Sequence, residues 1–461
     1  ITIVGGTVKS PHPLAVGYSK TIALKTYYVD SRAAISSILI TGSFSVGAST
    51  VTPPDLSCVC TTQITNMEDM FNGQATFNDD ISNWDTSNVI NMQQMFMGTA
   101  SFTININSWD VSSVTDMDGM FRAATSFNQP LNSWTVSNVL SMSNMFREAS
   151  AFNQPLNSWD VSKVKYMQYL FRQSNFNQPL NNWNVSSVLN MSEMFFNSPF
   201  DQPIDNWDVS KVTRMDKLFK GTDFNHPLNS WTVSNVTNLS QMFMDNDEFD
   251  QPLDNWNLSS VTNISNIFRG CLEFDQPLNT WNTSPSSTAK ITNMIGVFHN
   301  ARKFNQPLYN WDVSKVTNMD SMFGEAFNNG DSGSIGDWDV SNVTNMNYLF
   351  FNSAFNQPIG NWDVDKVINM YNMFGKSAFN QDIGSWNVNN VVKMSYMFAS
   401  SPFNQDIGNW DVTNVEEMEF MFSSAKYFNQ DIGNWNVENV EKMGSMFMST
   451  EAVSYTHLTL P

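Results

Sequence analysis

The sequence is poor in cysteine, histidine and basic residues, and it contains no long apolar run. Its 461 residues include three cysteines, four histidines and 23 Lys plus Arg, against 43 Asp plus Glu. Three cysteines are too few for a disulfide framework. The net charge of −20 disfavours nucleic acid and anionic membrane surfaces as partners, because both attract clustered cations. Since no apolar stretch reaches about 18 residues, no membrane insertion is predicted.

Sequence motifs of the common enzyme classes are missing as well. No G-x-S-x-G, Walker, dinucleotide-binding or H-E-x-x-H pattern occurs. His226 and His299 have no nucleophile beside them in a recognisable motif. We therefore expect a protein that is not an enzyme and that requires no cofactor.

Tryptophan, by contrast, is abundant and regularly spaced. Most of the 15 tryptophans follow one another at intervals of 24 or 25 residues. They are Trp84, Trp109, Trp134, Trp159, Trp183, Trp207, Trp231, Trp256, Trp281, Trp311, Trp338, Trp362, Trp386, Trp410 and Trp435. Such a period is the signature of a solenoid, in which each repeat buries its apolar face against its neighbours. Val59 stands at the tryptophan position of one earlier copy, so the sequence predicts about 16 coils over residues 58–452.

Two periodicities alternate within each coil. Apolar and polar residues alternate from Trp109 to Ser112, which predicts a short strand. Met117, Met120, Phe121 and Ala124 then follow the i, i+3, i+4, i+7 spacing of a short amphipathic helix. The predicted fold is therefore an α/β solenoid with one short strand and one short helix in each coil.

Both ends of the chain differ from the repeats. Residues 1–57 contain neither Asn nor Trp and hold β-rich stretches, which indicates the end of another domain or a cap on the first coil. Residues 453–461, VSYTHLTLP, resemble the translation of a transposase-type sequencing adapter and are left out of the functional reasoning.

The repeat resembles that of a known family. Copies such as FNQPLNSWDVS, followed by VTNM and MF, are similar to the 25-residue repeats of BspA-like bacterial surface proteins, divergent relatives of leucine-rich repeats that also occur in mycoplasma surface lipoproteins. Leu156, Trp159 and Val161 occupy the positions of the L-x-x-L-x-L motif. The resemblance covers about residues 58–452. It implies a leucine-rich-repeat-like solenoid at the cell surface or outside the cell, with a role in binding or adhesion.

A row of aspartates follows the tryptophans and gives the candidate site. If each lies on a strand, its side chain points away from the core, as at the ligand surface of horseshoe-shaped solenoids. The predicted binding residues are Asp85, Asp110, Asp160, Asp208, Asp312, Asp339, Asp363 and Asp411. Two interpretations stay open: a recognition strip, in which carboxylates could bridge Ca²⁺, or solvated residues that prevent edge aggregation.

A second polar row has a structural interpretation. Asn128, Asn153 and their equivalents follow the turn phenylalanine, and they are predicted to hydrogen-bond the backbone of the adjacent coil. Cys58 and Cys60 form a weak C-x-C pair, and Cys271 is expected to be a buried thiol.

The sequence thus predicts a surface or secreted protein, monomeric within a longer chain, that recognises an extracellular protein or glycan through the aspartate row. The alternative is a spacer or stalk that presents other domains. No nucleic-acid partner is expected.

Overall fold

The computed structural model describes residues 61–282, 290–325 and 335–450, together with short backbone segments before residue 61. The chain forms two compact units, unit 1 (Ile1–Pro203) and unit 2 (Ile204–Pro461). The adapter-like residues 453–461 lie outside the described residues.

Short strands occupy the first part of unit 1. They are β1 (Thr2–Val4), β2 (Thr7–Lys9), β3 (Tyr27–Tyr28), β4 (Phe44–Val46), β5 (Ser49–Val51) and β6 (Val59–Cys60). Antiparallel pairs join β1 to β2 and β4 to β5, whereas β3 pairs in parallel with β6. The lead segment and the start of the repeats therefore share a two-stranded sheet, and the predicted boundary at residue 57 stays a prediction.

The repeats form coils that stack on one another within each unit. Neighbouring coils are joined by parallel bridges of one residue each, such as Asp116 to Ser141 in unit 1 and Asn238 to Asn263 in unit 2. These bridges lie not at the tryptophan but just before the first apolar residue of the predicted helical segment, which is methionine in most coils and Leu239 or Ile264 in two of them. Outside β1–β6, the only regular elements in the described coils are short 3₁₀ helices at Asn279–Asn282 and Ile335–Asp337.

The segment predicted to be helical consists of two consecutive β-turns. Met120 N–H donates to Met117 O at 3.2 Å, and Ala124 N–H donates to Phe121 O at 3.0 Å. The third residue of each turn has a positive φ, 62° at Gly119 and 55° at Ala123, as type II turns require. We call this segment the double turn; its equivalent recurs in every described coil, with a positive-φ pair four residues apart.

The apolar spacing did not distinguish a helix from a double turn. The first and fourth residues of two successive turns also fall at i, i+3, i+4 and i+7, and Met117, Met120, Phe121 and Ala124 are all fully buried. Between them, Phe121 N–H donates to Met145 O of the next coil at 2.9 Å. Because alternate amides bond across coils, the i to i−4 pattern of an α-helix cannot form here.

The predicted strand is also absent from the described coils that have a tryptophan, although its alternation of faces is correct; β6 lies at the equivalent position, Val59–Cys60, of the earlier copy. Trp109 and Val111 are buried and Asp110 is exposed. However, Trp109 N–H donates to Ile106 O and Val114 N–H to Val111 O, which closes successive turns around a corner of the coil. An alternating pattern indicates which side chains face the core, but it does not show that the backbone forms the hydrogen bonds of a β-sheet.

Aromatic side chains fill the core. The indole of Trp159 stacks on that of Trp134 with centroids 6.3 Å apart, and its Nε1 donates to Leu131 O of the preceding coil at 3.0 Å. Phe146 stacks on Phe152 at 3.9 Å in the same coil. A buried tryptophan removes on the order of 200 Å² from water, worth about 5 kcal/mol before the entropy cost. The tryptophans therefore act as core residues.

Candidate functional site

The predicted aspartate row lies at exposed corners of the coils rather than on strands. Seven of its side chains are exposed and Asp85 is half-buried. The Oδ1 atom of Asp160 accepts the backbone N–H of Ser162 at 3.0 Å, and the Oδ1 atom of Asp312 accepts that of Ser314 at 3.0 Å. Equivalent bonds are made by Asp85, Asp110, Asp208, Asp339, Asp363 and Asp411. Each aspartate thus closes an Asx turn.

Asparagine makes the same bond where it replaces aspartate. Asn184 Oδ1 accepts the N–H of Ser186 at 3.1 Å, and Asn257 Oδ1 accepts that of Ser259 at 2.9 Å. The local turn therefore requires one side-chain oxygen and no charge. What aspartate adds is a second carboxylate oxygen and a negative charge on an exposed corner.

The local hydrogen bonds also favour the ionised form of five of these carboxylates. The hydroxyl of Ser162, followed by its backbone N–H, lowers the pKa of the Asp160 carboxyl below its usual value. Serine hydroxyls lower the pKa of Asp85, Asp208 and Asp339 in the same way, and the Thr413 hydroxyl lowers that of Asp411. These five carboxylates therefore carry negative charge throughout the neutral pH range.

An open groove of about 690 Å³ runs beside one member of the row in unit 1. Asn107, Ser108, Asp110 and Thr135 line it with amide, hydroxyl and carboxylate groups. Thr135 occupies the position that Asp110 holds one coil earlier. The groove therefore lies where a threonine replaces an aspartate in the row. This arrangement offers hydrogen-bond donors and acceptors to a polar ligand.

The row that does lie on the parallel bridges was not singled out from the sequence. It consists of the residue directly before the first buried apolar residue of each double turn; most of these residues are half-buried, and asparagine is the commonest. The bridging asparagines are Asn66, Asn91, Asn190, Asn238, Asn263, Asn293, Asn318, Asn345 and Asn369. Asn318 Oδ1 accepts the N–H of Asp320 at 2.9 Å. The recurring tripeptide Thr-Asn-Met was the signal that could have revealed this row.

The asparagines after the turn phenylalanine confirm their predicted structural role. Asn153 Oδ1 accepts the backbone N–H of Asn177 at 2.9 Å and the Nε2 group of Gln178 at 3.2 Å, both from the next coil. Asp250 replaces asparagine in unit 2 and accepts the corresponding groups of Asp275 and Gln276. This row joins coils.

The described coils provide neither a metal-binding cluster nor an exposed thiol. There, no three His, Cys, Asp or Glu side chains come together in a way that could hold a metal ion. Cys271 is buried, its Sγ lies 2.9 Å from Phe243 O, and burial raises the pKa of its thiol well above the usual value. Cys58 and the side chain of Cys60 lie outside the described residues. Likewise within the described part, no helix has the length and apolarity needed to cross a membrane.

Comparison with protein families identifies the repeat. The model described as "Mycoplasma protein of unknown function, DUF285" matches overlapping segments along the chain. They are residues 43–156, 105–201, 132–220, 195–290, 254–352, 285–377, 325–402 and 352–458. The chain belongs to the DUF285 family. The predicted mycoplasma-type tandem repeat is thereby confirmed, and the narrower BspA-like assignment stays a prediction.

Comparisons beyond the DUF285 family are weak. No curated protein matches the chain. Two solved structures show low similarity. The first is a TLR13–ssRNA13 complex, with 11% identity and a TM-score of 0.18 over 86% of this chain. The second is the leucine-rich-repeat ectodomain of the plant membrane receptor kinase GASSHO1/SCHENGEN3 from Arabidopsis thaliana in complex with CASPARIAN STRIP INTEGRITY FACTOR 2, with 8% identity and a TM-score of 0.15 over 78% of this chain. The DUF285 chain spans 52% and 64% of their lengths. Both TM-scores lie far below 0.5, so these two structures give no information on the function of this chain.

Proposed function

We propose that this DUF285 chain is a non-enzymatic recognition protein, placed at the cell surface or secreted, that binds an extracellular protein or glycan. The observation that carries the proposal is the contrast between a uniform interior and a varied exterior. In coil after coil the same tryptophan, valine, methionine and phenylalanine positions are buried. Repeat scaffolds of this kind provide extended surfaces for binding.

The exterior of the double turn changes its chemistry from coil to coil. The second residue of the second turn is Arg122, Arg147 and Arg172 in successive coils of unit 1. In unit 2 the same position holds residues as different as Met244 and His299. A spacer requires only that coils stack, and one fixed residue type at this position would meet that need, as Arg172 does by pairing with Glu193 of the next coil. Variation at half-buried surface positions on a constant frame supports recognition over a purely mechanical role.

The aspartate row supplies a candidate contact for the partner. Seven of its eight side chains are exposed, and the groove beside Asp110 adds neutral donors and acceptors. A cationic or hydroxyl-rich partner fits this surface because both can donate hydrogen bonds to carboxylate oxygens.

The test compares two triple variants at Asp160, Asp208 and Asp312, one to alanine and one to asparagine. Binding of the whole chain would be measured to immobilised collagen, laminin and mucin, and to a glycan array. Because asparagine keeps the Asx turn, the asparagine variant removes charge without removing the local bond. We expect both variants to bind at least tenfold more weakly, with thermal unfolding of the asparagine variant close to that of the wild type.

Binding that is unchanged in both variants would remove the aspartate row from the proposal. If the wild-type chain binds no probe at all, recognition itself is unsupported and the spacer becomes the better hypothesis. The spacer hypothesis then predicts that deletion of whole coils shortens the distance at which flanking domains are displayed.

A further inference from the structure

The double-turn surface of unit 2 carries a continuous row of aromatic rings. Four successive coils each contribute one ring: Tyr348, Tyr371, Tyr396 and Phe420, which we call the aromatic row. The centroids lie 5.3 Å apart between the first two rings, 5.6 Å between the middle two and 4.8 Å between the last two. All four side chains are half-buried, so this row lies at the surface and is separate from the tryptophan core.

Three of these aromatic residues adopt a backbone conformation that disfavours them. Tyr348, Tyr396 and Phe420 have φ values of 52°, 62° and 55°, in the left-handed region where a bulky side chain is an outlier. Asn144 and Asn266, at the same position of other coils, are better suited to it. The strain of one such residue is similar in size to the gain from one aromatic pair. Stability alone therefore does not explain why rings occupy these positions.

A tyrosine in unit 1 provides an internal comparison. Tyr169 occupies the same turn position with a φ of 63°, but the guanidinium groups of Arg147 and Arg172 lie over its ring at 5.8 and 5.9 Å. Its ring is thus already engaged by the chain itself through cation–π contacts.

Among the described residues, no such cation lies over the rings of Tyr396 and Phe420, the second half of the aromatic row. The positions that correspond to the arginines are Gly375, Ala399 and Ser423 in successive coils. These residues are too short to reach over a neighbouring ring. Small residues at this position leave the exposed parts of the row available to a ligand.

The chemistry of the row combines apolar ring surface with uncharged hydroxyl groups. Burial, followed by a hydrogen bond with Tyr348, raises the pKa of Tyr371 to about 12, so this phenol stays protonated at neutral pH. Asn347 and Asn372 place amide groups beside Tyr348 and Tyr371 in the sequence. Apolar C–H faces and hydroxyls of sugar rings match such a mixture of aromatic surface with neutral donors and acceptors.

The row is one ring wide from Tyr371 to Phe420. At its first end Phe351 packs edge-on against Tyr348 at 5.4 Å, and the Lys376 ammonium group lies over that added ring. A hot spot for a protein partner requires a broad, desolvated apolar patch surrounded by further contacts, and a narrow line of half-buried rings does not provide one. An extended chain that contacts several coils in succession fits this shape. We propose that Tyr348, Tyr371, Tyr396 and Phe420 form a binding surface for an uncharged glycan chain. The proposal rests on the recognition function above and assigns its ligand class.

The experiment measures binding of the full chain to an array that carries neutral and sialylated oligosaccharides. The test variants are Tyr396→Asn and Phe420→Asn, since asparagine is found at this turn position in other coils and tolerates the positive φ. The matched control is Tyr169→Asn, which removes the covered tyrosine of unit 1. Thermal unfolding of all three variants verifies that the coils remain folded.

We expect the wild-type chain to bind neutral glycans, the two test variants to lose at least tenfold in affinity, and the control to bind as the wild type does. Equal losses in test and control variants would overturn the proposal, as would binding restricted to sialylated glycans or to matrix proteins. In that last case the recognition function survives and only the glycan assignment fails. A chain that binds neither glycans nor matrix proteins contradicts both.

Discussion

Asn153 and Asp160 lie seven residues apart in one coil, and both accept a backbone N–H through a side-chain oxygen. Asn153 accepts from Asn177 in the next coil, whereas Asp160 accepts from Ser162 in its own. Both positions recur through the repeats, so repetition alone does not separate their roles. The reach of the hydrogen bond does: one row holds coils together and the other shapes a corner.

The same division applies to the other repeated positions. The tryptophan Nε1 groups bond across coils, as from Trp159 to Leu131 O. The asparagines on the parallel bridges close turns within their own coil, as Asn318 does with Asp320. A buried acceptor that loses its donor costs about 1–3 kcal/mol, while an exposed one turns to water at little cost. Stability should therefore be concentrated in the rows that cross coils.

The largest effect is expected from the tryptophan row. Trp159→Ala should lower the free energy of unfolding by about 3–5 kcal/mol, because it empties a buried site and removes the bond to Leu131 O. Denaturant unfolding followed by circular dichroism measures this loss. Trp159→Phe retains most of the ring and isolates the contribution of Nε1, so it should cost less than the alanine variant. A Trp159→Phe variant as stable as the wild type would contradict a role for the cross-coil bond.

An intermediate effect is expected from the asparagine that joins coils. Asn153→Ala leaves the N–H of Asn177 and the amide of Gln178 without their acceptor, and it should cost about 1–3 kcal/mol. Asn153→Asp is the matched control, since Asp250 performs the same task in unit 2. We expect the aspartate variant to stay within about 0.5 kcal/mol of the wild type. Hydrogen exchange at the Asn177 amide reports the loss directly.

The smallest effect is expected at the corner. Asp160→Ala should cost about 0.5–1 kcal/mol, because the Asx turn is exposed to water. Asp160→Asn should be nearly neutral at pH 7, as Asn184 makes the same bond.

A pH titration sharpens the comparison at this corner. The pKa of Asp160 is lowered by Ser162 in the folded chain. Its charged form therefore stabilises the fold above the unfolded value near 3.8, and this contribution is lost as the pH falls through the lower folded pKa. The Asp160→Asn variant should lack that part of the acid sensitivity. An identical acid profile in the two proteins would show that the Ser162 bond does not depend on the charge.

The sequence predicted the repeat, its period and the buried positions, because Trp, Val, Met and Phe recur where the core requires them. It did not predict the local conformation. Met117, Met120, Phe121 and Ala124 satisfy a helix and a double turn equally well, and only the left-handed φ at Gly119 and Ala123 separates the two. Gly119 gave a hint, but alanine, glutamate and even tyrosine at such positions concealed it. For the aspartate row, the sequence correctly indicated exposed side chains but incorrectly indicated a strand. The Asx turn that replaces the strand depends on a hydrogen bond from the backbone N–H two residues later, which the apolar pattern does not reveal.

The cross-coil tryptophan bond follows coil position rather than distance along the chain. Trp134 reaches Ile106 O, 28 residues back, at 3.1 Å, and Trp311 reaches Leu278 O, 33 residues back, at the same distance. Trp338 makes the equivalent bond across 30 residues. Extra residues are thus accommodated between bonded positions without disturbing them. One coil can therefore replace another at the same place in the stack. Recombination between repeats can lengthen, shorten or reorder the array, because each new pair of neighbouring coils forms the same tryptophan Nε1 hydrogen bond.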